Sequence, residues 1–162
     1  MEMMLLNDID KTNKLFEDVK HVDENGIEFW YARELMPILQ YSNWQNFEKI
    51  IDKAKISCKS SDISVSDHFT DVNKMVKIGS GAYRKQIDHK LTRYACYLIA
   101  QNGDSRKKVI ALAQTYFAVQ TRKQEITEKE YSTLTEEEKR FYQRNLTKKV
   151  IIHLIKLLKV QE

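Results

Sequence analysis

Asp88-His89-Lys90 has the spacing in which an acid two residues before a lysine serves metal-dependent phosphodiester cleavage. In that chemistry the acid binds Mg²⁺ and the lysine steadies the attacking water. A second acid is needed upstream, and Asp67 and Asp71 are the candidates. The plainer reading of the same residues is that Asp88 caps or anchors a helix beginning near Leu91. Other catalytic patterns are missing. His21, His68, His89 and His153 show no HExxH or Cys/His metal spacing, and Gly79-Ser80-Gly81 lacks the Lys and Ser/Thr of a phosphate loop. Neither Cys58 nor Cys96 lies in a nucleophile or CxxC signature, which favours buried thiols. The chain reads as a binding protein before an enzyme, and no cofactor is expected.

The binding chemistry it favours is with phosphate. Lys and Arg exceed Asp and Glu by four, and the excess is unevenly placed. Seven acids stand against three lysines from Asp8 to Glu28, whereas six cations, Lys74, Lys77, Arg84, Lys85, Lys90 and Arg93, face only Asp88 in the stretch they span. Arg106, Lys107, Lys108, Arg122 and Lys123 add five more. If these segments converge, one face of the protein is basic and the opposite one acidic. Were the first six to neutralise about five phosphates, the logarithmic salt slope of binding would be about −4. The competing reading is an ordinary solvated strand face. Tyr83, just after Gly79-Ser80-Gly81-Ala82 and before Arg84-Lys85, is the preferred side chain for stacking on an unpaired base. Trp30, Tyr31, Trp44 and Phe47 could stack too, but each falls on an apolar face that suits the core. Ala32 to Cys58 holds two helices joined at Gln40-Tyr41-Ser42, a weak helix-turn-helix signal that would bring Asn43, Gln45 and Asn46 to base edges.

These side chains need elements to hold them. The pattern predicts a helix over about Asp10 to Lys20, then a β-hairpin of His21-Val22 and Ile27 to Tyr31 turning at Asp23-Glu24-Asn25-Gly26. A short helix follows over Ala32 to Leu39, with Pro37 either interrupting it or lying in its first turns. Ser42 or Asn43 caps the next helix, which runs to about Cys58 with Trp44, Phe47, Ile50, Ile51 and Ala54 on one side. After a serine-rich loop, Val72 to Ile78 and Arg84 to His89 alternate like strands of a second hairpin. Thr92 to Glu125 reads as a helical hairpin, the rigid spine, with Gly103 in a left-handed conformation and Asp104 or Ser105 capping the second helix. Thr135 to Glu138 has capping-box spacing, and Lys148 to Val160 is helix-compatible. Ile151, Leu154, Ile155 and Leu158 form a stripe there that suits a partner helix or a homodimer.

The string from Arg93 to Asp104, with Trp30-Tyr31-Ala32-Arg33-Glu34-Leu35, Trp44-Gln45-Asn46-Phe47, Lys53-Ala54, Asp67-His68-Phe69 and Asp88, resembles the bacterial DNA-damage-inducible protein D family. That family is related to the N-terminal domain of viral BRO proteins, and the resemblance covers Trp30 to Glu125. It implies a DNA-linked role in the damage response, on single- or double-stranded DNA or on a protein filament coating it, without implying a reaction. It also implies a further, more polar helical segment that this tail does not match, which leaves a truncated or frame-altered C-terminal extension as one reading of it.

The fold class expected is α+β, with helices flanking small antiparallel hairpins. The domain reading is a Bro-N-like domain over 1–125 and a helical extension over 126–162. The first residues lack a signal-peptide pattern, and no apolar run is long enough to span a bilayer, so the expected setting is the cytoplasm. The function expected is a non-catalytic DNA-binding or DNA-complex-modulating protein. The alternatives are a metal-dependent nuclease using Asp88 and Lys90, and a protein-interaction module that never touches DNA.

Overall fold

Trp30 shows how the core is organised. It is fully buried, its ring stacks on Phe16 with centroids 4.6 Å apart, and its Nε1 donates to the Phe16 carbonyl at 2.9 Å. Around it the computed structural model describes residues 2–159, and the side chains of residues 7–149, 151 and 152. The architecture is α+β. Helix α1 is Glu2–Asp18, followed by strands β1 (His21–Val22) and β2 (Glu28–Tyr31) and helices α2 (Ala32–Ile38) and α3 (Trp44–Ser60). A 3-10 turn at Val65–Asp67 leads into strands β3 (Phe69–Lys77) and β4 (Tyr83–Leu91). Helices α4 (Arg93–Gln101), α5 (Lys108–Thr133) and α6 (Glu136–Lys159) complete the chain. The sheet is antiparallel throughout, in the order β1-β2-β4-β3. Among the described residues, no helix is long and apolar enough to cross a membrane.

The chain falls into two compact units, Met1–Phe117 and Ala118–Glu162, divided within α5. An expected boundary at 125/126 lies farther along the same helix. In the first unit Trp30, Leu35, Phe47, Ile51, Leu91, Ile99 and Ile110 are the largest apolar side chains fully withdrawn from water. Each contributes about 1.5–3 kcal/mol by its burial. The second unit is built differently: no residue from 118 to 149 is buried. Its helices meet at Tyr131 and Tyr142, whose ring centroids lie 5.5 Å apart. Thr135 and Glu138 close the expected capping box, Glu138 N donating to Thr135 Oγ1 and Thr135 N to Glu138 Oε2. Of the apolar stripe expected near the end, Ile151 is exposed, while the side chains of Leu154, Ile155 and Leu158 lie outside the described set.

Most local expectations hold, with informative exceptions. Helix α1 begins well before Asp10, because Met3-Met4-Leu5-Leu6 are strong helix formers with no breaker among them. Pro37 sits inside the last turn of α2, where it cannot donate to the Arg33 carbonyl, and the helix ends one residue later. Gln40 then takes a positive φ of 60° and turns the chain. Asn43, of the two candidate caps, accepts from Asn46 N at 3.0 Å. Gly26 adopts φ +78° in the first hairpin, as its Asn-Gly pair implies. The two helices of the spine are α4 and the start of α5, but burial in α5 stops at Leu112. Asp104 precedes the helix and makes its turn through Arg106 N rather than capping Lys108 directly.

Gly103 is the clearest correction. It does not adopt a positive φ; glycine is needed there for closeness, since a Cβ would stand 2.7 Å from Ile110 Cδ1 and 3.0 Å from its Cγ2. Ile110 is fully buried and cannot swing away freely. Gly103→Ala is expected to cost about 1–3 kcal/mol of stability in urea unfolding. Ile110→Val, which removes the Cδ1 atom, should recover part of that loss in the double variant.

Candidate nucleic-acid interface

Strands β3 and β4 run past the rest of the sheet. β2 meets β4 only at Trp30↔Leu91 and Tyr31↔Lys90, while β3 and β4 stay paired out to Lys77↔Tyr83. From Asn73 to Ile87 no residue is buried. The result is a two-stranded arm reaching about 17 Å from Val72 to Lys77 at the rise of an extended strand. Alternation of small β-branched and polar residues makes the strands. Its turn is closed by Gly81 N donating to the Ile78 carbonyl at 2.9 Å and Ile78 N to the Ala82 carbonyl at 2.8 Å, with Gly81 at φ +81°.

The cations expected to bind phosphate divide between the two faces of this arm, because successive side chains of a strand point opposite ways. Lys74, Arg84 and Lys90 share one face with Tyr31, and Lys77, Lys85 and Tyr83 share the other with Met75 and Ile87. Tyr83 is 65% exposed. Among the described residues, no carboxylate lies within ion-pairing reach of Lys77, Arg84 or Lys85. Lys74 and Lys90 are nearer the root and already have company. Lys74 Nζ lies 3.3 Å from the centre of the Tyr31 ring and 3.5 Å from Asp88 Oδ2, and Lys90 Nζ lies 4.5 Å from the Phe29 ring centre. These aromatic partners follow from the strand period: Phe29 and Tyr31 flank buried Trp30 and must face away from it. That alternation was the signal for them, and reading Tyr31 together with Trp30 as core obscured it.

Arg93 is placed elsewhere. Its Nε donates to Glu28 Oε1 at 2.6 Å and its Nη2 to Glu28 Oε2 at 3.0 Å, while Nη1 and Nη2 donate to the two Glu17 carboxylate oxygens at 2.6 and 3.2 Å. The guanidinium also lies 4.9 Å from the Trp30 ring centre. It joins α1, β2 and α4, and its donors are spent inside the protein. Its hydrogen bonds hold both Glu17 and Glu28 below the usual carboxylate range.

The candidate catalytic group is dispersed by the same alternation. Asp88 is fully buried on one face of the sheet; Asp71 lies on the other, its Oδ1 2.7 Å from His89 Nδ1 and 3.6 Å from Lys55 Nζ. The His89 contact is the main cause of the lowered Asp71 pKa. Two carboxylates on opposite faces of one strand pair cannot share a metal ion. Asp67 is exposed in the 3-10 turn before β3. Among the described residues, no three His, Cys, Asp or Glu side chains are grouped to hold a metal.

Asp88 has a structural task, though at a different helix from the one expected. Its Oδ1 accepts from Arg33 N at 3.1 Å and from His89 N at 2.8 Å, so it caps α2 from the neighbouring strand rather than α4. Tyr31, the residue at the cap of α2, has no side chain able to do this, and α4 is capped by Thr92, which accepts from Ala95 N. Arg33 Nε in turn donates to the Ile87 carbonyl at 2.8 Å, closing the edge of β4 where β2 has ended. Helices α2 and α3 do follow each other as a helix pair, with Gln45 and Asn46 exposed on the first turn of α3, but the Asn43 side chain is committed to its cap.

Residues 18–118 match the model of the BRO family, N-terminal domain. A relative named DNA damage-inducible protein D, from Escherichia coli (strain K12), is 48% identical over 131 residues, an alignment covering 80% of this chain and 48% of the relative. The chain thus spans about half the length of the curated relative it matches. No solved structure matches it.

Two outcomes follow from these contacts. Glu17 and Glu28 titrate lower in the folded chain than their ordinary value of 4.5, so the stability they supply is complete above that value and is lost as pH falls through their lowered folded values. Acid titration of stability should therefore show a limb below about pH 4.5 that Arg93→Met flattens. Asp88→Ala should lower unfolding stability by about 2–4 kcal/mol, since it strips the cap from α2 and leaves buried donors without an acceptor.

Proposed function

We propose that this chain, which belongs to the BRO N-terminal-domain family, serves the bacterial DNA-damage response by binding DNA through the β3–β4 arm, in the cytoplasm and without catalysing a reaction. The relative's name supplies the cellular setting, and the arm supplies the physics. The observation that carries the reading is a segment from Val72 to Ile87 with four cations and no acid, projecting free of the core. Several basic groups elsewhere in the first unit are matched: Arg93 by Glu17 and Glu28, Arg106 by Asp104, and Lys108 by Asp8. Neutralising phosphates releases counterions, so unmatched cations on an accessible arm provide affinity without any sequence readout. Arg93 has no part in that role, and Lys74 and Lys90 contribute from the root.

Exposed Met75 and Ile87 on the same arm favour a second use of it, contact with a protein that coats DNA. Salt separates the two. Lys77, Arg84 and Lys85 by themselves should give oligonucleotide binding a logarithmic salt slope of about −3, and each alanine substitution should make it shallower by about 0.9. A slope near zero with retained capture of a protein partner would replace the DNA reading with the protein one.

A further inference from the structure

We infer that the arm enters the major groove of duplex DNA tip first, with its two faces turned to the two phosphate walls. The inference rests on the DNA-binding reading above and adds to it the form of the nucleic acid and the manner of contact. A protein surface laid against one side of a strand engages cations on one face only. Here Arg84 lies on one face of the ribbon, where Lys74 is held at the root by Asp88, and Lys77 and Lys85 lie on the other. Both sets reach phosphates together only if phosphates stand on both sides of the ribbon, which is the geometry of a groove.

The dimensions decide which groove. A ribbon bearing side chains on both faces is about 10 Å thick, to judge from the spacing at which sheets pack. The major groove is about 12 Å wide and accepts it; the minor groove, about 6 Å wide, would have to be forced open. The tip is narrower than the shaft, since of the turn residues only Ile78, at its base, carries a large side chain, while Gly79, Ser80, Gly81 and Ala82 carry almost none, and no atom lies near a Cβ built at Gly79 or Gly81. Beyond Lys77 the turn extends roughly two residues, about 7 Å, which is close to the groove's depth of about 8.5 Å. The small tip then reaches the floor while Lys77, Arg84 and Lys85 remain level with the phosphates. The free outer edges of β3 and of the distal part of β4 leave nothing alongside the ribbon to obstruct it.

Fluorescence anisotropy with the full chain tests this on three probes of one sequence: a short duplex, its single strand, and the duplex with glucosylated 5-hydroxymethylcytosine for cytosine, whose sugar fills the major groove. Tightest binding to the plain duplex, weakened roughly tenfold or more by the sugar, is the expected result. The Lys77→Ala/Arg84→Ala/Lys85→Ala variant should lose that binding. Equal affinity for plain and glucosylated duplex, or single-strand binding at least as tight as duplex, would overturn groove insertion while leaving the DNA-binding reading intact if the triple variant still weakens binding. Binding untouched by the triple variant, or none on any probe, would remove that reading as well.

Discussion

Asp88 is a carboxylate with no solvent exposure, and the geometry of the first unit at the root of the arm depends on how it is satisfied. Burying a charge is costly unless donors and a countercharge meet it. Arg33 N and His89 N both donate to Oδ1, and Oδ2, which accepts no hydrogen bond among the described residues, is met only by the Lys74 ammonium, its Nζ 3.5 Å away. Arg33 N is available only because the chain leaves β2 after Tyr31 and begins a helix there. This interaction caps α2 at the point where β2 ends, and beyond that point the outer parts of β3 and β4 have no neighbouring strand. The arm is free because β2 pairs with β4 at only two positions.

The electrostatics follow the same division. Acids of the N-terminal segment are not spread as a uniform negative face. Glu17 and Glu28 converge on one guanidinium, that of Arg93, which also lies beside the aromatic pair Phe16 and Trp30. This clamp ties three elements together and commits the most C-terminal of the six clustered cations to carboxylates of the protein itself. What remains unmatched lies toward the tip of the arm. A field concentrated on a thin projection acts at short range, so binding by it responds strongly to ionic strength. The positive groups do not form one flat patch: the strand period splits them across two faces, and their convergence is that of a ribbon rather than a plane.

Much of the fold was legible along the chain. Asn25-Gly26 and Gly79-Ser80-Gly81 mark turns, Asn43 and Thr92 cap helices, and the alternation from Val72 to Ile78 marks a strand, all through interactions among residues close in sequence. The site was legible in part. Exposure of Tyr83 and of Lys77, Arg84 and Lys85 follows from their place at a hairpin tip. Gly103 was misread because a glycine after a helix has two uses, a left-handed turn or a close approach, and the second depends on Ile110 across the packed interface.

The residue order by itself determined which segments are helix, strand and turn, and that the cations cluster between Lys74 and Arg93. Periodicity, capping and turn formation act over a few residues, so neighbours suffice to specify them. Tertiary structure alone decided what each charge does. Arg93 meets Glu28 and Glu17 from 65 and 76 positions away, and Asp88 meets Arg33 N across 55. Whether a charge is spent internally or left for a partner depends on which elements the buried core brings together, and burial is a property of the whole fold.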